Sequence, residues 1–223
     1  MATLTDWLGR PLNERKTIFF VPEDSSGSLL PPIPVLTDPS GRAILGRVDL
    51  PVGDYSVTAY FNGMVPGLGY LLEDPRYEPS TSNAVALYVN NPPDCSGAVA
   101  DPMTIWPPDK DFWPVEIVGV VDPDGDEVTI TVDLIFQDEK VGKTLPDAYV
   151  DADYPYKVWV RAQRDGNGDG RVYTTRFTAT DEHGAMCQGQ VRTGIVTHDQ
   201  SGDLDILDSG PPWYDSMTGE QLP

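Results

Sequence analysis

Glycine and proline interrupt this sequence too often for long helices: 21 glycines and 22 prolines make up nearly a fifth of its 223 residues. Glycine reaches positive φ at no steric cost, and proline fixes φ and lacks an N–H donor, so both mark turns. Between these breaks, apolar and polar residues alternate with many β-branched side chains, which is the period of a strand. The pattern is clearest in Lys16–Val21, Arg42–Val48, Asp54–Phe61 and Ala84–Val89, separated by Asp38-Pro39-Ser40-Gly41, Pro51-Val52-Gly53-Asp54 and Asn62-Gly63. It resumes in Val115–Val120, Glu127–Phe136, Tyr156–Gln163, Arg171–Thr180 and Gln188–Val196. An all-β fold of short strands follows. Pro146–Asp153 is the one stretch expected to make a turn of helix, and the tail from Gly202 to Pro223 is unassigned, with Trp213 and Tyr214 expected to pin it.

The run Asn90-Asn91-Pro92-Pro93-Asp94 breaks the alternation, because paired prolines hold the backbone extended and cannot continue a ladder. It predicts two β-sandwich domains, residues 1–91 and 92–223, joined by a stiff hinge.

The net charge is −20. Residues 1–91 hold 10 acids and 6 bases, leaving 25 acids and 9 bases to the rest, so the second half is the anionic one. That surplus repels nucleic-acid phosphates and anionic headgroups. It either keeps a surface soluble or gathers carboxylates around a hard cation such as calcium. No apolar run approaches the roughly 20 residues that span a bilayer, which argues against membrane insertion. The opening MATLTDWLGR lacks a basic-then-apolar leader. The expectation is a piece of a secreted precursor or a virion component that needs no leader.

The segments Leu4–Leu12 (LTDWLGRPL), Thr37–Ala43 (TDPSGRA) and Leu50–Phe61 (LPVGDYSVTAYF), with the later loop Asp74–Ser82, resemble bacterial immunoglobulin-like repeats of surface adhesins. The chain departs from them at Met64–Glu73, a Gly- and Leu-bearing insertion. It reads as an exposed apolar tip, with Met64, Leu68, Tyr70 and Leu71 as partner-contact candidates, or as a loop folded back on its own domain. In the second half, Cys95, Trp106-Pro107-Pro108, Val118–Asp126 (VGVVDPDGD), Phe136–Glu139 (FQDE), Arg161–Arg164 (RAQR), Gly168–Tyr173 (GDGRVY), Phe177–Asp181 (FTATD) and Cys187 are similar to a cadherin-like, immunoglobulin-like domain of secreted bacterial multidomain proteins. That resemblance implies tandem immunoglobulin-like β-sandwiches serving as stalks or binding modules, with no catalytic residue. Asp109-Lys110-Asp111 stands where such domains often carry Asn-His-Lys.

Catalytic chemistry is poorly served by these residues. Two histidines, His183 and His198, are too few for a hydrolytic triad or a zinc site, and neither cysteine has metal-ligand spacing. Cys95 and Cys187 lie where a closing sandwich brings neighbours together, so they form a disulfide in an oxidising compartment or remain buried thiols in a reducing one.

Asp122, Asp124 and Asp126 alternate in one turn, but Glu127 stands where a calcium loop needs glycine, so this is not an EF-hand. Asp165, Asn167 and Asp169 match the first half of such a loop, with Arg176 at its twelfth position. A non-EF calcium site would draw further ligands from Asp138 or Asp181; the alternative is a set of acidic turns surrounded by water. The five tryptophans, 7, 106, 113, 159 and 213, either make a sugar-stacking platform or fill cores.

The sequence therefore predicts a non-enzymatic structural or accessory protein of an extracellular, cell-surface or virion assembly, whose partners are other protein subunits. The alternative is an adhesion module that binds glycan or a receptor, with calcium stiffening the second domain. A carbohydrate-active enzyme is the weakest reading, because its two carboxylates must be fixed across a cleft.

Overall fold

Strands form where an alternating stretch can bury one face, and among the described residues no helix occurs. The structure is a computed structural model that describes residues 1–46, 48–69, 71–72, 74–166, 168–195 and 208–223. It is all-β, with several sheets, and divides into Met1–Asn90 and Asn91–Pro223. The division falls one residue before the expected position. Asn91 belongs to the second unit because its N–H and side-chain amide donate to the Asp124 carboxylate, at 2.7 and 2.8 Å.

The first unit contains β1 (Ala2–Thr3), β2 (Thr17–Asp24), β3 (Ile33–Leu36), β4 (Arg42–Ala43), β5 (Gly53–Phe61), β6 (Gly63–Met64), β7 (Leu71–Leu72), β8 (Ser80–Thr81) and β9 (Val85–Val89). Its main sheet runs β3-β2-β5-β8 in antiparallel order, and β9 pairs with the first half of β5. Along β5 the alternate residues Tyr55, Val57, Ala59 and Phe61 are buried, and they form one core with Ile18 and Phe20 of β2. Leu4 and Ala43, beside the β1–β4 ladder, complete that core. The expected strand Arg42–Val48 shortens to the two residues of β4.

The second unit contains β10 (Val99–Asp101), β11 (Thr104–Ile105), β12 (Phe112–Val118), β13 (Val128–Gln137), β14 (Ala148–Val150), β15 (Lys157–Arg161), β16 (Arg171–Asp181), β17 (Met186–Ile195) and β18 (Tyr214–Asp215). Two sheets, β10-β12-β15-β14 and β11-β17-β16-β13-β18, are antiparallel apart from the β11–β17 pair. Both feed one core: Val115, Ile117, Val158 and Val160 from the first sheet, and Ile135, Phe177, Ala179 and Val191 from the second. This is the layering of a β-sandwich, in which burial of each of the valine, isoleucine and phenylalanine side chains contributes about 1.5–3 kcal/mol. The stretch expected to turn helically instead contains strand β14, because Ala148 and Val150 pair with β15 and face this core.

The tail is sewn to the edge of the second sheet. β18 pairs with Phe136 and Gln137 of β13, and the Trp213 ring meets Phe136 edge-on at 5.3 Å. Ser216 then bridges the layers, donating to the Ile135 carbonyl and accepting from the N–H groups of Asp147 and Ala148.

Cys95 and Cys187 are joined in a disulfide that ties the segment before β10 to the start of β17. Gly189 lies two residues on, where an added Cβ would stand 2.5 Å from the Phe177 ring and 3.3 Å from Cys95, so only glycine lets the ring lie across β17. The bridge spans 92 residues. Replacing both cysteines with serine is expected to destabilise the second unit by about 2–5 kcal/mol, measured by urea unfolding of the full chain. The transition of the first unit should stay where it is.

Candidate functional site

The acidic residues singled out in the sequence separate into two groups at opposite ends of the β13–β16 ladder. Register pairs Val128 with Asp181 at one end and Gln137 with Tyr173 at the other. Ten residues of strand span about 30 Å. One ion therefore cannot collect all of them.

At the Val128 end, Asp122, Asp124 and Asp126 each offer a carboxylate oxygen within 4.8 Å of the others. Asp126 also lies close to Glu182 and His183, with the His183 Nε2 at 3.7 Å. The Asp122 Oδ2 and Asp126 Oδ2 atoms are buried without a hydrogen-bond donor. Asp124 is committed to Asn91, and Asp122 Oδ1 accepts the Asp124 N–H. Asp181, expected as a further ligand, instead caps the β16–β17 hairpin by accepting the N–H groups of His183 and Ala185 at 2.9 Å. Asp133 stands at a register irregularity in β13 and accepts the Thr178 hydroxyl.

At the other end, Asp138 accepts the N–H groups of Val172 and Ser209, and Asp169 accepts the Ser209 hydroxyl. The Asp165 N–H donates to Glu139 Oε2 at 2.7 Å. Here the loop donates its backbone to a carboxylate, and Asp138 and Asp169, expected as ligands with Asp165, accept hydrogen bonds from Val172 and Ser209. Asn167 and His198 lie outside the described residues. Burial raises the carboxyls of Asp138 and Glu139 above their ordinary values.

Sequence reading missed the buried polar network beside them. Arg171 Nη1 reaches Asp147 Oδ2 at 2.6 Å, with side chains 2% and 0% exposed, and Arg171 Nε reaches Glu139 at 3.2 Å. Gln137 donates to the same Asp147 oxygen, and Arg161 donates to the carbonyls of Lys110 and Pro146. The Tyr173 hydroxyl donates to the Arg161 carbonyl at 2.9 Å. Arg171 and Asp147 are 24 residues apart, and nothing in a local pattern pairs them. Asp147→Asn removes the shorter of the two carboxylate contacts on the buried Arg171 guanidinium and leaves Glu139 as its countercharge, so it is expected to cost about 1.5–3 kcal/mol in chemical denaturation.

In the first unit, Met64 of the proposed contact loop is exposed, Val65 is buried and Leu68 is half-buried. Among the described side chains of this loop, Val65 anchors it and Met64 faces outward. β6 and β7 pair Met64 with Leu71 through their backbones, and Tyr70 lies outside the described residues.

A second loop next to it is more firmly built. The Asn62 side chain accepts the Asp74 N–H at 2.7 Å and donates to the carbonyls of Asp74 and Tyr77, which clamps that loop onto the end of β5. Lys16 bridges Glu14 and Asp74 at 2.8 and 2.9 Å, and Arg76 adds a second cation to Asp74. The Tyr77 ring sits under Lys16 and edge-on to Phe61. This loop and the Asp6–Arg10 turn flank a groove of about 430 Å³.

No protein-family model matches this chain, and no curated protein matches it.

Bonds from Arg76 and Lys16 hold the Asp74 carboxyl well below its ordinary value of 3.8. A depressed carboxyl stabilises the fold above the unfolded-state value and loses that contribution as pH falls through the folded one. The melting temperature of the first unit should therefore drop between about pH 4 and pH 2. Asp74→Asn should lower it at neutral pH and flatten that acid limb, as read by calorimetry.

Proposed function

We propose that this chain is a non-enzymatic structural or accessory protein of an extracellular or virion assembly, built from two tandem immunoglobulin-like sandwiches and acting through protein contacts. The strand order of the second unit carries the fold part of this reading. Taken as A to G, strands β10, β12, β13, β14, β15, β16 and β17 give sheets A-B-E-D and C-F-G, the arrangement of immunoglobulin domains. The Tyr173 hydroxyl bonded to the Arg161 carbonyl, between F and the end of E, matches the tyrosine corner of such domains. For the first unit, the reading rests on its sheet, its small facing ladder and the sequence resemblance.

The bonding of the ionisable groups supports a non-catalytic role. Asp138, Glu139, Asp147 and Arg171 bond to backbone and to one another, which leaves no acid and base poised across a cleft among them. The apolar groove of about 210 Å³ over Phe20, Val57 and Ala59 has no carboxylate, imidazole or thiol in its lining. Stoichiometric copurification with a coat or filament subunit, lost in a Met64→Glu variant, is the expected result, and turnover of a polysaccharide would contradict it.

A second reading, the calcium-stiffened adhesion module, is favoured by the convergence of Asp122, Asp124 and Asp126. Two buried carboxylate oxygens without donors, Asp122 Oδ2 and Asp126 Oδ2, are hard ligands of the type calcium takes. An ion bound only by the folded state stabilises it by about 2.7 kcal/mol at a hundredfold excess over Kd. Chelator should lower the melting temperature of the second unit, and Asp126→Asn should remove that difference. An identical melt with and without chelator would exclude calcium.

A further inference from the structure

We infer that the first unit binds a neutral glycan in the groove between the Asp6–Arg10 turn and the Asp74–Ser80 loop, with Trp7 as its stacking platform. The inference rests on the adhesion reading above and does not need calcium. Trp7 is 89% exposed and Leu8 beside it 53%. A lone indole in water on a loose turn would be ordinary.

This turn is braced. Asp6 Oδ1 accepts the N–H groups of Leu8 and Arg10 at 2.9 and 3.0 Å, and Oδ2 accepts Arg10 Nε at 2.8 Å. The Gly9 N–H closes onto the Asp6 carbonyl at 2.9 Å. The backbone that carries the indole is thus held in a fixed place, so binding has chiefly the ring's own two χ angles left to order.

The facing wall is equally rigid. Besides the Asn62 clamp, an added Cβ at Gly63 would stand 2.9 Å from Pro79, so the chain is packed directly against the groove lining. That wall is lined by Arg76, Tyr77, Glu78 and Ser80, residue types that supply a cation, an aromatic ring, a carboxylate and a hydroxyl. An aromatic face ringed by groups that donate and accept hydrogen bonds suits a pyranose, with C–H bonds on its flat side and hydroxyls at its edge. The groove's volume lies in the range that holds small ligands. Anionic sugars are disfavoured because residues 1–91 hold 10 acids against 6 bases and Arg76 is already shared by Asp74 and Glu14.

The test is calorimetric titration of the full chain with cellohexaose and chitohexaose, with polygalacturonate as the anionic counterpart. At least one neutral oligosaccharide should bind. Trp7→Ala should weaken it roughly tenfold or more, Trp7→Phe should retain part, and Trp106→Ala should change nothing. Trp7 is surface-exposed, so all variants should melt with the parent. Equal binding by Trp7→Ala and the parent would overturn the site and leave the adhesion reading standing. No binding of either neutral sugar, or preference for polygalacturonate, would overturn the inference, and the absence of all sugar binding would also remove the glycan arm of that reading. If Trp7→Ala only dissolves a self-associated species in sedimentation, with no sugar heat, the tip is a protein contact and the inference fails.

Discussion

A carboxylate buried without a partner costs several kcal/mol, and the second unit contains one with no exposure at all, Asp147. Arg171, Gln137 and Arg161 surround it, and each comes from a different strand. The pairing holds the end of β13, the start of β16 and the end of β15 at one corner of the sandwich. Asp138, Glu139 and the Tyr173 hydroxyl complete that corner, and the tail reaches it through Ser216. Such a network favours one arrangement over others more than it adds net stability, since an apolar replacement of similar shape is often equally stable.

The acid surplus has a related structural explanation. Asp6, Asp24, Asp38, Asp94, Asp122, Asp151, Asp181 and Asp215 each accept the N–H of the residue two places on. Aspartate serves these turns because its short side chain reaches its own backbone. Much of the −20 charge is therefore the cost of many corners in a chain of short strands. Where such a turn has two further aspartates beside it, at Asp122–Asp126, carboxylates exceed the local donors, and that excess is what sets this turn apart from the others.

Period-two alternation made the long strands legible because a half-buried strand must present one face to the core. β5, β13, β16 and β17 fall within a few residues of where the pattern placed them. β3, β10, β11, β14 and β18 were not anticipated. They are short or contain or adjoin prolines, and their pairing is set by the neighbouring strand rather than by their own periodicity. Arg42–Val48 failed in the opposite sense, since among its described residues alternation has a pairing partner only at Arg42 and Ala43, opposite Thr3 and Ala2. At the candidate sites, the cluster of Asp122, Asp124 and Asp126 was readable from spacing, whereas the Trp7 groove was not, because its walls come from segments some 60 to 70 residues apart, and the Asn62 clamp, which reaches only 12 to 15 residues along the chain, depends on how that loop folds back.

The amino-acid sequence alone determined the class of the fold, the sign of the net charge and the pair of cysteines available for bridging. These follow from local chemistry: turn residues, side-chain alternation and charge act over a few positions each. Tertiary structure decided which carboxylates face one another, which are consumed by backbone N–H groups, and which aromatic rings remain in water. Those outcomes depend on strand order and register, and a separation along the chain carries no distance until the sheets are paired.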